Sequence, residues 1–163
     1  MITINNTDFY GKFELTIGEF TGQKLTDYIN RYQNEFTIEL LGVELYDLYL
    51  ANSTDPEYII IEEPLIFQSN FGKIYKSQGM KDMLKGFIFF MYGRDLPTQQ
   101  TLTGAVKQSS ENSMHPSNVN ALLWQRYNES VESYEAIQAY IRENSDVYPT
   151  FRGMKNEAII PYF

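Results

Sequence analysis

The segment GMKDMLKGFIFFMYGRD, residues 79–95, constrains the fold of this chain more than any other. Met80, Met83, Leu84, Phe87, Ile88 and Met91 recur at helical spacing and form one apolar stripe. Phe89 and Phe90 carry apolar surface onto the other faces. A helix that is apolar nearly all round must lie inside a protein or a membrane. Its longest apolar run, GFIFFMYG, falls far short of the roughly 20 residues that a bilayer-spanning helix needs. The segment therefore reads as the central helix of a helical domain, starting near Ser77 and ending at Arg94, Asp95 and Pro97.

Other segments supply helices to surround it. Thr21 can cap a helix in which Leu25, Tyr28, Ile29, Tyr32 and Phe36 share a face. Leu40 and Leu41 lead to Gly42, which either ends this helix or lets it bend. Val43, Leu45, Tyr46, Leu48 and Tyr49 predict a second, short helix, and ANSTDPE is a stop. After Pro116, Ser117 can cap the longest helix. There Leu123, Tyr127, Ser130, Tyr134, Ile137 and Ile141 alternate steps of four and three, a seam suited to lying along another helix. Asn144 and Pro149 end it.

Between and beyond these helices the pattern weakens. Residues 1–20, with Phe13, Leu15 and Ile17, read as an extended N-terminal arm or short strand. Residues 57–78 combine β-formers with Pro64 and read as irregular or as a short edge strand. The predicted fold class is mainly α, a small bundle of about four helices with a long polar inter-helix loop and extended terminal arms. The expected divisions are 1–20 for the arm, 21–150 for the helical domain with its loop at 98–117, and 151–163 for an extended C-terminal tail.

Of 163 residues, 43% are hydrophobic, and 13 Tyr with 11 Phe supply more large rings than one core of this size requires. The surplus points to interfaces. A net charge of −8 argues against a basic nucleic-acid groove, but it suits a surface past which phosphates slide without sticking. Solubility alone accounts for it equally well. There is no cysteine, hence no disulfide and no thiolate metal site. The start, MITINNTDFYGKF, lacks the pattern of a secretory leader.

Catalytic chemistry finds little support. His115 is the only histidine, so a His-Glu-x-x-His zinc site is excluded, and a Ser-His-Asp triad would have to use this one loop residue. Carboxylates at helical spacing, Glu35 with Glu39, Glu44 with Asp47, and Glu129 with Glu132 and Glu135, read as solvated faces. A di-iron bundle needs Glu-x-x-His on two helices, which the chain cannot supply. No phosphate-binding glycine loop appears. Glycosidase chemistry needs only two acids, so composition leaves it open, and a small hydrolase with unrecognised acids stays an alternative.

Three segments carry a family resemblance: RYQNEFTIELLGVELYDLYL with its Leu-Leu-Gly-x-x-Leu-Tyr step; GMKDMLKGFIFFMYGRDLPTQQTLTGAVKQSSENS with its Gly-Met-Lys-x-Met-Leu helix, Thr-x-x-Gly-x-Val step and Glu-Asn-Ser loop; and RYNESVESYEAIQAYI. Together, from about Thr21 to Phe151, the chain resembles the head–tail connector (adaptor) proteins of tailed phages, in the version of crAss-like and related phages. The resemblance implies a structural virion protein at the head–tail interface, held in the host cytoplasm before assembly. It implies a closed ring of about twelve copies of itself, a dodecamer built by heterologous contacts. It further implies docking to the portal protein and to the next neck or tail protein, with double-stranded DNA passing through the channel unbound. No enzyme activity, cofactor, metal or membrane partner is implied. Another neck or tail-completion ring protein of the virion is the nearest alternative.

Within that reading two segments are candidate interfaces. The loop, through Thr101, Thr103, Lys107, Gln108, Glu111 and Asn112, can reach a neighbouring subunit, the portal or the channel, or it can be a connection without a role. The tail, through Ile159, Ile160, Tyr162 and Phe163, is expected to dock on another chain, along a sheet edge or in a groove. Folding back over its own core is the alternative.

Overall fold

The computed structural model describes residues 2–14, 19–95, 100–101, 104–105 and 116–154, of which 19–23, 100–101, 104–105 and 116–120 are described by their backbone alone. The molecule is mainly α. Its helices are α1 (Glu19–Leu41), α2 (Val43–Asn52), α3 (Pro56–Glu62), α4 (Met80–Asp95) and α5 (Pro116–Glu143). The strands β1 (Leu65–Gln68) and β2 (Ile74–Ser77) pair antiparallel, as do the two-residue strands β3 (Gln100–Thr101) and β4 (Gly104–Ala105).

The apolar stripe of α4 places that helix at the centre, as the sequence predicts. Met80, Met83, Leu84, Phe87, Ile88, Phe89, Phe90 and Tyr92 are all buried. α4 packs on α5, on α1, on α3 and on a 3-10 turn near the N-terminus. Phe87 is the hub. Its ring stacks on Phe36 of α1 at 4.5 Å between centroids and meets Tyr127 and Tyr134 of α5 edge-on at 5.2 and 6.1 Å. The predicted seam of α5 is the face that meets α4: Leu123, Tyr127, Ser130, Tyr134, Ile137 and Ile141 are buried. One position of that seam is small for a reason. A Cβ on Gly86 of α4 would lie 1.9 Å from Ser130 Oγ and 3.0 Å from the Arg126 carbonyl oxygen, so the helices touch through two small residues.

Gly42 resolves as a break between helices. It adopts φ +79°, and a Cβ there would come within 2.7 Å of the Arg152 backbone. The chain after α5 closes over this joint. Arg152 N donates to the Leu41 carbonyl (3.3 Å) and Met154 N to that of Glu39 (2.6 Å). Gln138 Nε2 bridges the Leu40 and Met154 carbonyls at 3.0 and 2.7 Å, and the Tyr134 hydroxyl also donates to Met154 O at 2.7 Å. Residues 151–154 of the predicted tail thus pack on their own chain, because the exposed carbonyls at a helix C-terminus need donors.

Three readings need correction. The N-terminal segment is not a strand: Asn6–Asp8 and Gly11–Phe13 wind into 3-10 turns that bury Phe9 and Phe13, and Ile4 before them is buried too. The segment read as irregular or an edge strand holds a helix and a hairpin. Asp55-Pro56 ends one helix and starts α3, with Pro56 at the first helical position, where its missing N–H is no loss. The central helix begins at Met80 rather than near Ser77, because Leu65 to Gln68 pair with Ser77 to Ile74. Within the predicted polar loop, β3 and β4 pair, with Thr101 opposite Gly104.

Candidate interaction surfaces

The polar groups inside the fold are mostly accounted for by internal partners. At the junction of the N-terminal turn with α4 and α5, Lys85 Nζ lies 2.6 Å from Asp82 and over the ring of Phe13. Lys12 lies 3.4 Å from Asp82 and 3.8 Å from Glu129, which also accepts from Arg126 at 2.8 Å. Lys81 reaches Asp8 at 2.8 Å. Glu129 therefore belongs to an ionic clasp holding the N-terminus, not to the solvated face read from its spacing. Glu132 and Glu135 do face solvent.

Elsewhere, tyrosine hydroxyls satisfy backbone and carboxylate groups. Tyr49 accepts from Ile2 N at 2.9 Å and donates to Glu62; burial, then this bond, pushes its pKa well above the ordinary tyrosine value. Tyr28 donates to Asp95 at 2.7 Å, and burial with this bond raises it to about 12. Asp95 is lowered, chiefly by its hydrogen bond from Arg94. Glu39 is raised by burial and by the nearby Glu35, so it too departs from the reading as a solvated acid. Among the described residues no group of acids and histidines is placed to hold a metal ion, and no helix is long and apolar enough to cross a membrane.

A cleft of about 560 Å³ lies between the N-terminal segment and α1. Thr3, Asn5, Asn6, Asn30, Gln33 and Asn34 contribute amides and hydroxyls, and no charged side chain lines it. Gln33 is already engaged, accepting from Ile4 N at 2.8 Å and donating to Ile2 O at 3.3 Å. Such a lining is suited to neutral polar groups. It offers no nucleophile paired with a base.

Among the described residues, large apolar side chains are exposed at scattered positions, Tyr10, Leu122, Val147 and Met154 among them, and cluster on two elements in particular. The first is the hairpin. Its inner face is anchored: Phe67 stacks on Tyr75 and meets Tyr140 of α5 edge-on at 5.5 Å, while Asn70 N donates to Glu143 at 2.9 Å. Its outer face and tip are bare, with Ile66 70%, Ile74 69% and Phe71 97% exposed. The second is the outward side of α2, where Val43 is 63% exposed and Leu48 and Leu50 about 40%. Glu44 and Asp47 lie on that same helix, also exposed. Helical spacing puts Leu50, Val43, Asp47, Glu44 and Leu48 on one continuous side. Ile59 and Ile60 of α3 are exposed as well.

Neither surface was named from the sequence as an interface. The hairpin had a signal: Ser-Asn-Phe-Gly between two short runs of β-formers. The residues that were named lie elsewhere. Thr101 falls in β3, while Thr103, Lys107, Gln108, Glu111, Asn112, His115 and the tail residues Ile159, Ile160, Tyr162 and Phe163 lie outside the described residues. The residues that carry the family resemblance are largely structural: Leu40, Leu41, Leu45 and Tyr46 are buried around Gly42, and Met80, Met83 and Leu84 in α4. Comparison with family models, with curated proteins and with solved structures finds no match to this chain.

Proposed function

We propose that this chain is a structural protein of a phage virion, one subunit of a ring between portal and tail that extends the DNA channel and docks the neck or tail components. The observation that carries this reading is the apolar surface outside a closed core. Phe71, Ile66 and Ile74 project from a hairpin whose other face is firmly packed, which is how a docking element is presented rather than how a core is finished. The resemblance of three segments to head–tail connectors is what points the reading to that assembly. The charge of −8 fits a channel that repels phosphate. The predicted loop at 98–117 and the end of the tail are then the proposed contacts to the portal or a neighbour.

Electron microscopy of the purified protein, alone and mixed with the portal of the same phage, tests the reading. Closed rings seated on the portal are expected. A protein that leaves the portal bare and is found elsewhere in purified particles would be a different neck or tail-completion protein; one absent from particles would remove the virion role.

A further inference from the structure

We propose that the β1–β2 hairpin docks on the outward face of α2 of a second copy of this chain, head to tail. The inference rests on the reading of the chain as a self-assembling subunit and names the surfaces that would do it. The supporting observation is a division of charge along the sequence. Residues 43–63, which form α2 and α3, contain six acids (Glu44, Asp47, Asp55, Glu57, Glu62 and Glu63) and no lysine or arginine. Residues 64–79, which form the hairpin, contain two lysines, Lys73 and Lys76, and no acid. On a chain of net charge −8 the hairpin is therefore a local basic island beside an acidic stretch.

The two regions do not neutralise each other within the subunit. Among the described residues, no ion pair engages Lys73, Lys76, Glu44 or Asp47; Lys73 lies over the ring of Tyr75 at 4.4 Å, a contact that leaves its charge unneutralised. Both surfaces mix these charges with exposed apolar groups: Ile66, Phe71 and Ile74 on the hairpin, and Val43, Leu48 and Leu50 on α2. Apolar anchors within a rim of opposite charge are the two halves of a specific contact, the rings giving affinity and the charges register and partner choice. Because the two halves differ, each copy offers one surface and accepts the other. Such a contact is heterologous, and it closes into a ring or runs on as a filament. A hairpin-to-hairpin contact would set lysines against lysines.

Charge reversal with complementation tests this. One variant carries Lys73→Glu and Lys76→Glu; a second carries Glu44→Lys and Asp47→Lys. Circular dichroism checks that each keeps the parent's helix content, and sedimentation velocity reads assembly. Each variant alone is expected to stay monomeric at concentrations where the parent assembles, since its hairpin and α2 then carry like charge. An equimolar mixture is expected to assemble again, because every contact between unlike copies is complementary. Phe71→Ser, which touches no charge, is expected to weaken self-association at least about tenfold, the effect of losing a central aromatic anchor. It carries the test if a reversed variant fails to fold. Variants that assemble alone like the parent, a mixture that stays monomeric, or a parent that never self-associates would each overturn the docking. Assembly that follows the charge pattern, yet neither closes into rings nor seats on the portal, would support the docking and overturn the connector reading.

Discussion

α4 and the β1–β2 hairpin are built from similar residues and treat them in opposite ways. In α4, Phe87 is fully buried among Phe36, Tyr127 and Tyr134. In the hairpin, Phe71 is 97% exposed, although Phe67 four residues earlier is anchored on Tyr140. Both regions are joined to α5, so proximity to the core does not explain the difference. A helix that is apolar all round must be surrounded, whereas a two-stranded ribbon on one helix has a second face with nothing on it. The comparison teaches that burial here follows from how many sides an element has covered, not from how hydrophobic its residues are.

The largest test of this difference is alkaline titration. Tyr49, Tyr134 and Tyr148 are held neutral by burial well above their ordinary range, and Tyr28 is raised to about 12. A folded pKa above the unfolded one means that the stabilisation is present in full below about pH 10, the unfolded value, and is lost as pH rises from there through the folded value. Cooperative loss of helical circular dichroism, accompanied by late tyrosinate absorbance, is expected in that window. Tyrosinate forming there while the helices persist would mean that the core rings are accessible.

Phe87→Ala comes next. Removing the hub ring leaves a cavity among three aromatic neighbours, expected to cost about 3–5 kcal/mol in chemical denaturation. Gly42→Ala should cost about 1–3 kcal/mol, since alanine is strained at φ +79° and its Cβ meets the Arg152 backbone. Tyr92→Phe runs the other way. The Tyr92 hydroxyl is buried and finds no hydrogen-bond partner among the described residues, so its removal should raise stability by about 1 kcal/mol. Smallest of all, Phe71→Ser should shift the monomer's stability by no more than about 0.5 kcal/mol, as for other exposed sites. A larger loss would mean that the hairpin tip supports its own fold, and the contrast with α4 would collapse.

The helical framework was legible because its signals are local. Met80 to Met91 and Leu123 to Ile141 repeat at helical spacing, and that repeat identifies both the elements and the faces they bury. Pro64 and short mixed runs blur the period of two in the hairpin, so the sequence offers one short edge strand or an irregular segment where two paired strands form. α3 was misread because Ile59, Ile60 and Ile61 look like a strand, although Asp55-Pro56 marks a helix start. Glu39 and Glu129 could not be told from other acids by spacing, since the groups that bury or pair them, Lys12 among them, are distant in sequence. By itself the sequence determined a helical fold around α4, an apolar seam along α5, a break or a bend at Gly42 and the overall negative charge. Only the tertiary structure decided that residues 151–154 clamp the end of α1, that the N-terminal turns are drawn into the core, and that Phe71, Ile66 and Ile74 stay outside it. Periodicity reports which side of an element is apolar; whether anything covers that side depends on contacts between residues far apart in the chain, which no local pattern contains.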